Sequence, residues 1–153
     1  MTASDKAGLY RDLARQLASL IGSESDRTAN AANMAALVYH GLPDLNWAGF
    51  YFTQGSELVL GPFQGQPACV RIAWGSGVCG AAAARGASVL VPDVHEFPGH
   101  IACDPVSQSE LVVPLIEDGQ VTGVLDLDSP RLNRFDAGDQ AGCEHLVRMF
   151  LRR

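Results

Sequence analysis

Several classes of protein are excluded by what this 153-residue chain has little of. Basic residues number 11 against 17 acidic ones, a net charge of −6. Outside Arg148, Arg152 and Arg153 they form no cluster, which argues against a nucleic-acid partner; those three fit better as cations at a helix C-terminus. No run approaches the roughly 18 apolar residues that span a bilayer. The start, Met1-Thr-Ala-Ser-Asp5, lacks a charged segment followed by an apolar one, so no membrane partner and a cytoplasmic location are expected. The four cysteines and four histidines contain no C-x-x-C pair and no H-x-x-x-H, so no metal site is expected. No linker or internal repeat appears, and the length suits a single domain over 1–153 with one good core. In a cytosolic chain, four cysteines point to catalysis or redox chemistry before structural disulfides.

What is present reads as an α+β domain. Leu9, Leu13, Leu17, Leu20 and Ile21 recur at helical spacing within 7–21, as do Ala29, Ala32, Met34, Leu37 and Val38 within 26–40. Strand patterns follow over 47–52, 57–60, 68–74, 89–91, 111–116 and 121–127, divided by Gly, Pro and Asp. A short helix is expected over 81–85, and a last one from Asp136, a plausible N-cap, to Arg152. The sum is a mostly antiparallel sheet with helices at the two chain ends.

The last hairpin can be registered from its apolar pattern. A two-residue turn at Asp118-Gly119 would put Leu111, Val113 and Leu115 on one face with Thr122, Asp126 and Asp128, mixing core with acid. A three-residue loop with Gly119 left-handed instead gathers Leu111, Val113, Leu115, Val121, Gly123, Leu125 and Leu127. Glu110 then lies opposite Asp128, and Glu110, Asp126 and Asp128 converge at the hairpin's open end. Like charges that close resist joint ionisation, so the trio is either an ammonium site or a shared-proton acid; the plainer alternative is a solvated strand end. On the strand 47–52, Trp47, Gly49 and Tyr51 share one side, and two rings flanking a glycine leave room for a small ligand.

From Pro92 to Glu110 no period is sustained, and the segment reads as a long loop of the kind that covers binding sites. It carries Cys103 beside Asp104, with His95 and His100 upstream; a thiol among polar loop neighbours suggests reactivity. Cys79 falls in the first turn of a helix capped by Ser76 or Gly77, where the dipole favours thiolate. Cys69 sits on the third long strand and Cys143 in the core of the last helix. Gly75-Ser-Gly-Val-Cys-Gly80 matches a dinucleotide-loop spacing, but a hairpin follows where a doubly wound fold would alternate strand and helix, so no cofactor is expected.

Asn46-Trp-Ala-Gly-Phe-Tyr51, Gly61-Pro-Phe-Gln-Gly65, Pro67-Ala-Cys-Val-Arg-Ile72, Gly77-Val-Cys-Gly80, Val91-Pro-Asp-Val-His95, Phe97-Pro-Gly-His-Ile-Ala-Cys-Asp104, Ser109-Glu110 and Gly123-Val-Leu-Asp-Leu-Asp-Ser-Pro130 together resemble the free methionine-(R)-sulfoxide reductases, a catalytic branch of the GAF domains. The likeness is dense over 46–130; only Ala73-Trp-Gly-Ser76 departs from the usual residues. It implies a GAF-type antiparallel sheet with helices on one face and a ligand pocket on the other, under the long loop. It also implies Cys103 as nucleophile, Cys69 or Cys79 as resolving thiol, and Glu110, Asp126 and Asp128 as the substrate's holders, with Trp47 at its S-methyl group. The expected reaction is thiol-dependent reduction of free methionine (R)-sulfoxide through a sulfenic acid and a disulfide, reopened by a thioredoxin-type reductant, in a possible homodimer. The competing class is a GAF sensor that binds a small amine without turning it over.

Overall fold

The computed structural model describes residues 1–101 and 103–152. Ala102, within the Phe97–Asp104 block, and Arg153, one of the terminal arginines, lie outside the described residues. Helices α1 (Ala3–Ile21), α2 (Arg27–Gly41), α3 (Gly77–Arg85) and α4 (Ala137–Leu151) accompany strands β1 (Trp47–Gln54), β2 (Glu57–Gly65), β3 (Arg71–Ala73), β4 (Val89–Val91), β5 (Ser109–Glu117) and β6 (Gln120–Ser129). The strands form one sheet in the order β3-β2-β1-β6-β5-β4, every neighbouring pair antiparallel.

The sheet is buried on both faces, and each face has its own core. On one, α1, α2 and α4 pack Leu13, Leu17, Met34, Val38, Leu146 and Phe150 against Phe50, Leu111, Leu125 and Leu127. On the other, α3 and the loops cover Tyr51, Leu58, Val112 and Val124. Each such side chain contributes about 1.5–3 kcal/mol on burial. Because consecutive strand residues point to opposite faces, β5 and β6 are apolar on both sides through their middle. Only their open end is left for carboxylates.

Local chemistry explains where the boundaries move from expectation. Helix α1 begins four residues early because Thr2 and Asp5 make a reciprocal capping box: Asp5 N–H donates to Thr2 Oγ1 (3.0 Å) and Thr2 N–H to Asp5 Oδ2 (3.1 Å). Strand β2 runs past Gly61-Pro62 to Gly65, with a register shift opposite Gly49 to Tyr51. Its pairing with β3 ends at Val59, so Pro62 stands on an edge at a bulge, where its missing N–H costs no ladder bond.

The β5–β6 hairpin pairs Glu110 with Asp128 as expected, but the turn is not a three-residue loop. Asp118 (φ 51°) and Gly119 (φ 76°) form a two-residue connection with Glu117 opposite Gln120. The extra residue enters higher up, where Ile116 pairs with Val121 while Leu115 pairs with Gly123. Thr122 is the bulged residue. Asp tolerates the left-handed region well enough to make the tight turn, and the apolar faces above it hold their own register, so the mismatch is absorbed between them.

Helices α1 and α4 are joined by a buried polar node. Asp139, fully buried, accepts from Lys6 Nζ (2.8 Å), Tyr10 Oη (2.8 Å), Arg134 Nη1 (3.3 Å) and the Asp136 N–H (3.0 Å). Removing the anion would leave nearly buried Arg134 without its ionic partner and Lys6 with Asp136 alone. Asp139→Ala is therefore expected to destabilise the fold by about 3–5 kcal/mol, seen as a fall in Tm on the order of 10 °C. A shift of only a degree or two would show that the node contributes little.

Candidate active site

Register decides which side chains meet. Trp47 pairs with Asp128, Gly49 with Asp126 and Tyr51 with Val124, while Glu110 faces Asp128 and Val112 faces Asp126. Trp47, Tyr51, Glu110, Asp126 and Asp128 consequently project from one face, and all five line one pocket. The N-terminal turn of α3 (Ser76 to Cys79) and the loop residues His100, Cys103, Asp104 and Ser107 close it. Among the described residues, no Lys or Arg lines it.

The electrostatics follow from that composition. Glu110 and Asp126 are 6% and 5% exposed, while Asp128 keeps some contact with solvent. Burial, then the neighbouring Asp126 and Asp128, push the Glu110 carboxyl well above the usual range. Burial raises Asp126 as well, opposed by hydrogen bonds involving Glu110 and Cys79. Asp128 is pushed up by desolvation and then by Asp126. Glu110 and Asp128 are thus both pushed towards the protonated form, and the site is short of a cation. His100 does not supply one: its Nε2 stands 3.8 Å from Glu110 Oε1, but burial, then His95, lower its pKa.

Cys69 and Cys103 are joined in a disulfide, with 5.7 Å between their Cα atoms. The Cys69 strand expected over 68–74 shrinks to Arg71–Ala73, so Cys69 lies before the strand, not on it. Tyr51 Oη donates to the Cys69 carbonyl (2.9 Å), while the Val70 carbonyl still accepts from the Leu60 N–H of β2 (2.9 Å). Cys79 is free and 4% exposed, its Sγ 4.0 Å from Glu110 Oε2. The thiolate expected from the helix dipole is overturned: burial, then Asp126, Glu110 and Asp128, push this thiol well up. Burial first, and the acidic neighbours with it, outweigh one helix terminus. Cys143 is in the core as expected.

Gly49 also serves a different purpose from the one expected. A Cβ there would collide with Phe63 and with the Trp47 ring, so its space is filled by packing and is not room for a ligand. The Trp47 and Tyr51 polar tips are likewise engaged, Trp47 Nε1 donating to the Gln66 carbonyl at 3.1 Å.

Asn46 was not singled out from sequence. Its Nδ2 donates to Asp104 Oδ2 and Ser107 Oγ, both at 3.0 Å, and its N–H to the Asp128 carbonyl at 3.0 Å. It thereby ties the Cys103 loop to the carboxylate end of the sheet. The partners are separated by 58 and 61 residues, which no local pattern reveals.

Residues 26–148 match the GAF domain family. The free methionine-R-sulfoxide reductase of Escherichia coli is 50% identical over 143 residues, covering 94% of this chain and 87% of that one. That of Saccharomyces cerevisiae is 41% identical over 153 residues, covering 95% and 85%. The X-ray structure of free methionine-R-sulfoxide reductase from Neisseria meningitidis in complex with its substrate superposes with a TM-score of 0.94 at 46% identity, covering 99% of this chain and 92% of that one. This chain is a GAF domain of the free methionine-R-sulfoxide reductase family. As a member of that family it has an all-antiparallel sheet, which removes the strand-helix-strand unit a dinucleotide loop requires. Its Gly75–Gly80 stretch is instead the turn into α3, whose first residues face the pocket.

Proposed function

We propose that this protein reduces free L-methionine (R)-S-oxide to methionine, with Cys103 as nucleophile and Cys69 as resolving thiol. The observation that carries the reading is the Cys69–Cys103 disulfide, whose Cys103 lines the same pocket as Glu110, Asp126 and Asp128. Asp126 and Asp128 receive the substrate's ammonium, which supplies the missing cation. A peptide bond would remove that charge, so the free amino acid is preferred. The N–H groups at the start of α3, where Ser76 makes no side-chain cap, suit the α-carboxylate. Trp47 borders the S-methyl group, with Tyr51 beside it.

The Cys103 thiolate attacks the sulfoxide sulfur while protonated Glu110 delivers a proton to its oxygen. Oxygen passes to Cys103 as the sulfenic acid and methionine leaves with two more electrons. The Cys69 thiol then condenses with the sulfenic acid, releasing water and forming the disulfide. A dithiol protein of the thioredoxin class reopens it by exchange. Cys69 and Cys103 are partly exposed, and Val70, Ile101 and Val106 around them are 61%, 37% and 54% exposed, an apolar rim suited to such a partner. A cytoplasmic location supplies the reducing surroundings that this cycle needs.

The test is incubation with the separate R and S epimers of free methionine sulfoxide plus dithiothreitol, scoring methionine. Turnover of the R epimer alone is expected; none with either epimer leaves a binding fold. With a thioredoxin-type protein as the only reductant, Cys69→Ser is expected to form about one equivalent of methionine per enzyme and then stall, since its sulfenic acid has no neighbouring thiol to form the disulfide that such a reductant reopens. Multiple turnovers by that variant with thioredoxin would move the resolving role to Cys79.

A further inference from the structure

Cys79 is the thiol this mechanism leaves unused, and its surroundings are those of a metal ligand. The Cys79 Sγ and one carboxylate oxygen each from Glu110 and Asp126 all lie within 4.8 Å of one another. The three residues are 4%, 6% and 5% exposed. In addition, Asp126 Oδ1 is buried and has no hydrogen-bond partner, although the same carboxyl is hydrogen-bonded with Glu110 and Cys79, and among the described residues no Lys or Arg lines the pocket. A desolvated carboxylate oxygen left so is costly unless something positive occupies the space beside it.

We propose that Cys79, Glu110 and Asp126 form a site for a thiophilic divalent cation of the zinc class, which inhibits the enzyme by occupying the corner of the pocket meant for the substrate's ammonium. The donor set is one sulfur and two oxygens, one ligand short of the four that zinc takes. That mixture selects zinc or cadmium over magnesium and calcium, which take oxygen alone. Zinc bond lengths of about 2.3 Å to sulfur and about 2.0–2.2 Å to oxygen bring ligand atoms to roughly 3–4 Å of each other. The Cys79–Glu110 separation of 4.0 Å is at the edge of that range, so ligation requires only small side-chain shifts. The cation displaces the protons that burial keeps on these groups and leaves the anions paired. The competition with substrate rests on the ammonium assignment above; the binding itself does not.

The disulfide makes the site testable in isolation, because in the oxidised enzyme Cys69 and Cys103 cannot ligate and Cys143 is buried under α1. Metal-free oxidised enzyme is titrated with Zn²⁺ against a chromogenic chelator, and separately with Cd²⁺ while the ultraviolet thiolate-to-cadmium charge-transfer band is recorded. One equivalent of each is expected to bind, with the band present and with free methionine sulfoxide weakening the Zn²⁺ affinity. Cys79→Ser is expected to lose the band and to weaken Zn²⁺ at least about tenfold. Asp126→Asn, which keeps the thiol and the side-chain shape, is expected to weaken Zn²⁺ while retaining a band. Cadmium bound without a thiolate band, or Zn²⁺ affinity unchanged in both variants, overturns the site; indifference to methionine sulfoxide overturns the inhibition. Turnover by the same enzyme, reduced and without metal, is read separately. Turnover without thiolate-bound metal sinks this inference alone, and bound metal without turnover sinks the reductase reading alone.

Discussion

Cys103→Ser is expected to form no detectable methionine from free methionine (R)-sulfoxide, a loss on the order of 10³-fold or more in kcat/KM. The size follows from valence as well as nucleophilicity. A serine hydroxyl is barely ionised at neutral pH, and its oxygen has no counterpart to the sulfenic state, so it cannot take the sulfoxide's oxygen. The pocket is predicted to survive, because Cys103 sits on the loop and the carboxylates are held by the β5–β6 register. Substrate should still raise the variant's Tm by mass action. The measurement is methionine formed with dithiothreitol alongside a thermal shift. Activity within tenfold of the parent, or turnover lost together with the thermal shift, would remove Cys103 from the nucleophile's role.

Glu110→Gln is expected to weaken catalysis and strengthen the substrate-free fold at once. Without the proton donor, kcat/KM should fall about 10²–10³-fold, the span of a general-acid contribution. Stability moves the other way. In the folded state the Glu110 pKa lies well above its unfolded value, with burial first and Asp126 and Asp128 next as causes. Between the unfolded value of about 4.3 and the raised folded one, the unfolded chain has lost a proton that the folded chain keeps, so stability falls as pH rises through that window. Glutamine cannot ionise and escapes this loss. The Tm difference, variant minus parent, should accordingly be positive at pH 8 and shrink towards pH 4. A variant less stable than its parent at pH 8 would contradict the protonated-acid assignment. Such an exchange of stability for function is what a pocket built to await a cation should show.

The carboxylate end of the pocket was legible because strand period and apolar pairing are local rules. Residues 111, 113 and 115 had to face 125 and 127, and that alone set Glu110 against Asp128. The same alternation put Trp47 and Tyr51 on one side of β1. The thiols were legible only as residues. Cys69 read as a strand position because its neighbours alternate, yet its place is decided by Cys103, 34 residues away, and by the Tyr51 hydroxyl. Cys79 read as a thiolate because a helix N-terminus is a local cue, whereas its environment is dominated by carboxylates brought in by β5 and β6.

By itself, then, the amino-acid order determined the α+β class, the sheet faces except at Val121, which the bulge turns to the side of Val112 and Val124, the acidic strand end and the resemblance carried by the blocks from Asn46 to Pro130. Only the tertiary structure decided which thiol meets Cys103, that Asn46 anchors its loop, and that Gly49 makes way for aromatic packing. The physical reason is range: periodicity and caps act over a few residues, while desolvation, charge repulsion and cross-linking depend on which distant segments share one low-dielectric space.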